Sequence, residues 1–118
     1  MKSKIRTIQN YKIIDGAWYQ DRAVEDILSL LKYLKKHHEV KFILTPYHPL
    51  IWSNNNLPLV KAMKIVEKKT LEIAKESNID VLGSFDPYNL DCDENDFYDE
   101  MHSKPSCMIK IGDYLVKN

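Results

Sequence analysis

Apolar residues recur at helical spacing in three stretches of this chain, and compact β-rich runs precede each of them. Lys12-Ile13-Ile14 is a short strand candidate closed by the turn pair Asp15-Gly16. Asp21 can cap a first helix, in which Val24, Ile27, Leu28, Leu31 and Leu34 form one apolar face and Glu25, Asp26, Lys32, Lys35 and Lys36 the wet one. His37 and His38 fall in its last turn, where cations complement the helix dipole. Val40-Lys41-Phe42-Ile43-Leu44 reads as a buried strand. Pro46 and Pro49 stop it, and an irregular polar loop runs through Trp52 to Asn56.

Pro58 suits the first turn of a long second helix, whose face is Leu59, Met63, Val66, Thr70, Ile73 and Ala74 and whose end is Ser77-Asn78. Ile79-Asp80-Val81-Leu82-Gly83 is the next strand, halted by Asp86-Pro87. An acidic loop follows, with Asp91, Asp93, Glu94, Asp96, Asp99 and Glu100. Ser103 can cap a last helix that has Pro105 in its first turn and Met108, Ile111 and Leu115 as its stripe, despite Gly112.

The order β-α-β-α-β-α implies an α/β fold with a small, mainly parallel sheet. In such sheets functional groups collect at the carboxyl ends of the strands, here Thr45 to Pro49 and Ser84 to His102. Tyr47, His48, Asp99 and His102 are therefore expected on one edge. Three strands make a thin sheet that leaves apolar helix faces short of partners. A homodimer, or a partner chain that completes the sheet, is the expected remedy.

With 118 residues the chain fits one domain, 1–118, with a single modest core. Hydrophobic residues make up 44% and charged residues 29%, as in ordinary soluble domains. A formal net charge of zero gives no global pull toward nucleic acid or an anionic membrane. Gln9, Asn10, Lys12 and Asp15 interrupt any signal-peptide core, and no apolar run is long enough to span a bilayer, so the expected location is the cytoplasm. Cys92 and Cys107 lack the spacing of a zinc or redox pair and read as two free thiols. Trp18, Tyr19 and Trp52 read as core or interface residues, since no basic cluster accompanies them as single-strand binding would need.

The segment Phe97-Tyr98-Asp99-Glu100-Met101-His102-Ser103-Lys104-Pro105 carries the candidate chemistry. A catalytic triad needs an imidazole that accepts a proton from serine and a carboxylate on the other ring nitrogen to fix the tautomer. Asp99 and His102, three apart across a turn, can reach each other. The bland alternative is that Asp99 accepts amide hydrogens at a helix start. Asp91, Asp93 and Asn95 open like a calcium loop, but Asp96 stands where glycine is needed and His102 where the closing glutamate belongs, so no metal is expected.

This segment resembles the closing Asp-x-x-His block of the SGNH (GDSL-type) hydrolase superfamily, which is often followed by a proline-containing helix start. Val40 to Pro49 looks like the preceding core strand and active-site loop, and the long helix, the Ile79 strand and the Asp86-Pro87 turn come in the expected order. The likeness is nearest to the SGNH-like proteins of bacterial cell-surface polymer modification, and it covers about the second half of that fold, residues 40–118. It implies a three-layer α/β/α sandwich of flavodoxin-like type, apparently truncated. It implies Asp99 as orienting acid and His102 as general base for acyl esters of sugars or lipids, with no metal or other cofactor. The family's Gly-Asp-Ser nucleophile block and its oxyanion-hole Gly and Asn have no counterpart here. Ser3 follows no strand and Ser29 lies inside a helix, whereas Ser84 does sit at a strand end.

The leading expectation is thus a truncated SGNH-like protein, not an active hydrolase by itself, that binds an acyl-ester or sugar ligand or a partner at this edge. Asp99 and His102 are its site residues, with Tyr47, His48 and Ser84 as candidate binding residues. The alternative is an esterase or acyltransferase whose serine comes from elsewhere. The third reading is a structural or interaction domain in which Asp99 is only a cap.

Overall fold

The computed structural model describes residues 21–116. The strand expected at Lys12–Ile14, and Trp18 and Tyr19, lie outside the described residues. Helix α1 (Asp21–Lys35) leads to strand β1 (Lys41–Leu44), short helix α2 (Pro49–Trp52) and long helix α3 (Pro58–Glu76). Strand β2 (Asp80–Gly83), two 3₁₀ turns at Pro87–Leu90 and Glu94–Asp96, helix α4 (Pro105–Asp113) and strand β3 (Leu115–Val116) complete the order.

The three strands form a mixed sheet in the order β1-β2-β3. β1 and β2 pair in parallel, Lys41 opposite Asp80 through Leu44 opposite Gly83, as a strand-helix-strand unit requires. β3 pairs antiparallel to β2, with Leu115 opposite Leu82. This corrects the expectation that Leu115 extends the stripe of the last helix. Gly112 and Asp113 are poor helix formers, and Tyr114 leaves helical dihedrals at φ −103°, ψ 88°. The chain turns there, and the Tyr114 carbonyl accepts from the Gly83 N–H at 2.9 Å.

Successive strand residues point to opposite faces, and the core divides accordingly. Leu44 and Val81 join Leu31 of α1, Ile73 and Ala74 of α3, and Ile79 in one buried cluster. Leu82 packs against a second, made of Leu90, Cys92, Phe97, Cys107 and Ile111. A third cluster, Ile51, Trp52, Leu57 and Val60, joins α2 to the start of α3. The stripe of α1 centres on Val24, Leu28 and Leu31; Ile27, expected within it, lies at its rim and is 43% exposed. Trp52 is buried, as a core residue should be.

Among the described residues, Gly83 is the glycine whose backbone is dictated. It sits at φ +82°, and a Cβ built there would stand 2.2 Å from the Leu44 carbonyl oxygen of the neighbouring strand. No side chain fits that approach.

Three further expectations change. Cys92 and Cys107 are not free thiols but a disulfide, with Cα atoms 5.6 Å apart. The stretch between them, with the two cysteines fifteen positions apart, folds back on itself, which spacing in the sequence does not reveal. The loop after Pro49 is not wholly irregular, because Pro49 and a side-chain cap from His48 start α2. The N-cap of α4 is Lys104, not Ser103. Ser103 is held instead in an antiparallel bridge with Phe97, which takes its backbone out of the capping position. Among the described residues no helix is long and apolar enough to cross a membrane, and no group of three or more acidic, histidine or cysteine side chains is placed to hold a metal.

Candidate active-site edge

The two loops that leave the carboxyl ends of β1 and β2 are joined by backbone hydrogen bonds. Tyr47 N–H donates to the Phe85 carbonyl at 3.0 Å, and His48 N–H donates to the Glu100 carbonyl at 2.9 Å. The structure therefore brings Tyr47 and His48 against the segments that carry Ser84 and the Asp99–His102 pair.

Residues 98–102 form a tight loop. Tyr98 N–H donates to the His102 carbonyl at 2.8 Å, and the Phe97–Ser103 bridge closes the base of the loop. Within it the Asp99 carboxylate serves two purposes. Its Oδ1 accepts from the Met101 and His102 N–H groups, each at 2.9 Å. Both carboxylate oxygens lie 2.8 Å from Nδ1 of the His102 ring. One carboxylate thus both meets the His102 ring and caps amides, but these are amides of the loop and not of a helix start, since α4 begins at Pro105.

The Met101 backbone N–H and then the His102 ring hold the Asp99 carboxyl down at about 2. An ionised carboxylate can only accept hydrogen bonds, so His102 Nδ1 carries a proton and Nε2 is the basic nitrogen of the neutral ring. The His102 side chain is 72% exposed, and among the described residues nothing is hydrogen-bonded to Nε2.

His48 differs in every respect. Its Nδ1 accepts from the Leu50 N–H at 3.1 Å as the cap of α2, the residue is buried, and its ring packs on Phe97 with centroids 5.4 Å apart. The capping bond places the proton of the neutral ring on Nε2. Tyr47 is half-buried, stacked on Trp52 at 6.0 Å and edge-on to Phe85 at 5.8 Å. Burial pushes its phenol above the ordinary value, so it remains neutral.

Ser84 is 2% exposed. Its Oγ donates to Glu67 Oε1 at 2.8 Å and accepts from the Asp86 N–H and Asn89 Nδ2, each at 3.1 Å. Glu67 Oε1 also accepts from the Phe85 N–H at 3.0 Å. Glu67 is the site-forming residue that sequence reading missed. It falls in phase with Val60, Met63 and Ala74 on the inward face of α3, and an acid in an apolar stripe is the signal that could have found it. Other hydroxyls near this edge are also engaged: Ser53 with the Tyr88 phenol, Ser103 with Met108 Sδ, and Ser106 with Asp96.

The acidic loop is ordered by its own side chains. Asp93 and Asp96 form a reciprocal capping box around the second 3₁₀ turn. The Ser106 hydroxyl, then the Asp93 backbone, hold the Asp96 carboxyl below its usual range. The edge as a whole offers one exposed, oriented imidazole beside exposed Tyr98 and Met101, backed by buried His48, Ser84 and Glu100. No protein-family model, curated protein or solved structure matches this chain.

Proposed function

We propose that this chain is an SGNH-hydrolase-like domain that binds an acyl-ester or sugar ligand, or a partner, at the edge carrying Asp99 and His102, and that it does not hydrolyse esters by itself. The observation that carries the reading is the His102 ring. It is oriented by Asp99 at 2.8 Å, it is exposed, and it keeps Nε2 open to accept a hydrogen bond from an outside hydroxyl. The placement of α1 and α3 residues in the Val81 cluster, and of α4 residues in the Leu82 cluster, supports a three-layer α/β/α sandwich of flavodoxin-like type. Ser84 bonded to Glu67 rather than to an imidazole supports the absence of hydrolysis. Removing a triad leaves ~10³–10⁴-fold over water only where the oxyanion hole and substrate binding remain, and the family's oxyanion-hole residues have no counterpart here. Among the described residues β1 is an edge strand, with Ile43 60% exposed, which supports a second copy or a partner chain completing the sheet there.

The test uses the purified chain with p-nitrophenyl acetate, a fluorophosphonate probe and an O-acetylated hexose. The expected result is no probe labelling, no turnover that depends on His102, and perturbation of the His102 ring signals by the acetylated sugar. Ester turnover abolished by His102→Ala would establish the esterase reading, with Nε2 as base for a serine supplied by a second chain. No effect of sugar, probe or ester on His102 would leave Asp99 as a loop cap, the role that its bonds to the Met101 and His102 amides favour.

A further inference from the structure

The segment that presents Asp99 and His102 is ordered by hydrogen bonds among its own residues but has little apolar burial to anchor it. Between Cys92 and Cys107 the buried side chains are those of Phe97 and Glu100, while Tyr98, Met101 and His102 all face solvent. One buried aromatic cannot offset the entropy of ordering fourteen residues at about 1–2 kcal/mol each. The Cys92–Cys107 disulfide closes this segment at its two ends. Its two cysteines, 3% and 0% exposed, belong to the buried cluster with Leu90, Phe97 and Ile111. Phe97, packed in that cluster, supports the His48 ring, and His48 N–H holds the Glu100 carbonyl inside the loop. An unbroken chain of contacts therefore runs from the disulfide to the base.

We propose that the Cys92–Cys107 disulfide is an oxidation-dependent lock on the Asp99–His102 loop, so that the acid–base pair is assembled only in a chain that has been oxidised. The lock rests on the proposed site only in that it regulates the same pair; its test reads loop order and needs no ligand or turnover.

The chemistry balances with a disulfide oxidant such as oxidised glutathione or a protein disulfide. Cys107 lies in the first turn of nine-residue α4, where the helix end favours its thiolate. That thiolate attacks the oxidant's S–S bond and expels one thiolate of the oxidant, leaving a mixed disulfide. Cys92, as its thiolate, then attacks the Cys107 sulfur and expels the second. Two cysteine protons are released, and two electrons reduce the oxidant to two thiols. Once formed, the bond is buried beyond the reach of small thiols, so it marks the chain for an oxidising compartment. That location departs from the cytoplasmic one expected from the sequence.

The experiment compares the chain as isolated, the chain refolded in tris(2-carboxyethyl)phosphine, and a Cys92→Ala/Cys107→Ala double variant without reductant. Mass spectrometry after alkylation counts free thiols, amide hydrogen exchange reads local order, and carboxyl carbon NMR titrates Asp99. The isolated chain should take up no alkylating agent. For a loop of this length, reduction and the double variant should speed exchange of the Tyr98 and Lys104 amides on the order of a hundredfold relative to the α3 amides. The Asp99 midpoint should rise from about 2 toward its ordinary 3.8. Two alkylated thiols in the isolated chain would overturn the proposal. So would an unchanged Asp99 midpoint in the reduced chain. Equal acceleration across α3 and the loop would also overturn it, because the disulfide would then be a staple for the whole domain.

Discussion

Glu67 Oε1 accepts two hydrogen bonds, one from the Ser84 hydroxyl at 2.8 Å and one from the Phe85 backbone N–H at 3.0 Å. A side chain of α3 thereby fixes the turn that leaves β2, and the Phe85 carbonyl in turn holds Tyr47. Glu67→Ala would strand the buried Ser84 hydroxyl and an amide. The expected cost is about 2–3 kcal/mol, read as a lower urea midpoint. Glu67→Gln keeps a carbonyl oxygen for both donors and should lose less than half of that. Equal losses for the two variants would show that the charge, not the acceptor geometry, matters.

Asp99 gives the fold an acid-sensitive contribution. Its folded-state value of about 2 lies below its ordinary 3.8, so protons bind the unfolded chain more readily. The stabilisation is present in full above about pH 4 and disappears as pH falls through about 2. Urea midpoints of the native chain and Asp99→Asn, measured from pH 2 to pH 6, should differ above pH 4 and converge near pH 2. Because the pair is largely exposed, added salt should narrow the gap. A gap that widens toward acid would contradict the assigned direction.

Gly83→Ala should be among the most damaging single substitutions of this chain. It places a Cβ 2.2 Å from the Leu44 carbonyl at a positive φ, so β1 and β2 must separate. Backbone strain and overpacking together predict a loss of more than ~2 kcal/mol. Gly112→Ala is the control, because a Cβ there meets nothing within 4 Å. It should stabilise helix α4 by up to ~1 kcal/mol.

His48 separates capping from ring packing. His48→Ala loses both the acceptor for the Leu50 amide and the contact with Phe97, about 2 kcal/mol in sum. His48→Asn retains a capping acceptor and should recover about half of the loss, as judged by thermal unfolding followed by circular dichroism. If the Asn variant recovers nothing, the ring packing alone carries the effect.

Much of the scaffold is legible in the sequence because the signals involved are local. The long apolar period from Leu59 to Ala74, Pro58 at its start and the β-branched runs before Leu44 and Gly83 each depend on near neighbours. They specify α3 and the parallel pair β1–β2, both of which form as read. The same local logic misassigned Leu115, because two residues of strand after a helix gain their meaning only from β2 alongside.

The sequence by itself determined that Asp99 and His102 could meet, since they stand three positions apart across a turn, although spacing alone left amide capping equally open to the carboxylate. Only the tertiary structure decided what surrounds that pair. It turned Ser84 inward onto Glu67, made His48 a buried helix cap, and joined Cys92 to Cys107. The Ser84–Glu67 bond, the burial of His48 against Phe97 and the disulfide each depend on residues well apart in the chain. Hydrogen-bond satisfaction and burial are set by such neighbours, and no periodicity or spacing in one stretch encodes who they will be.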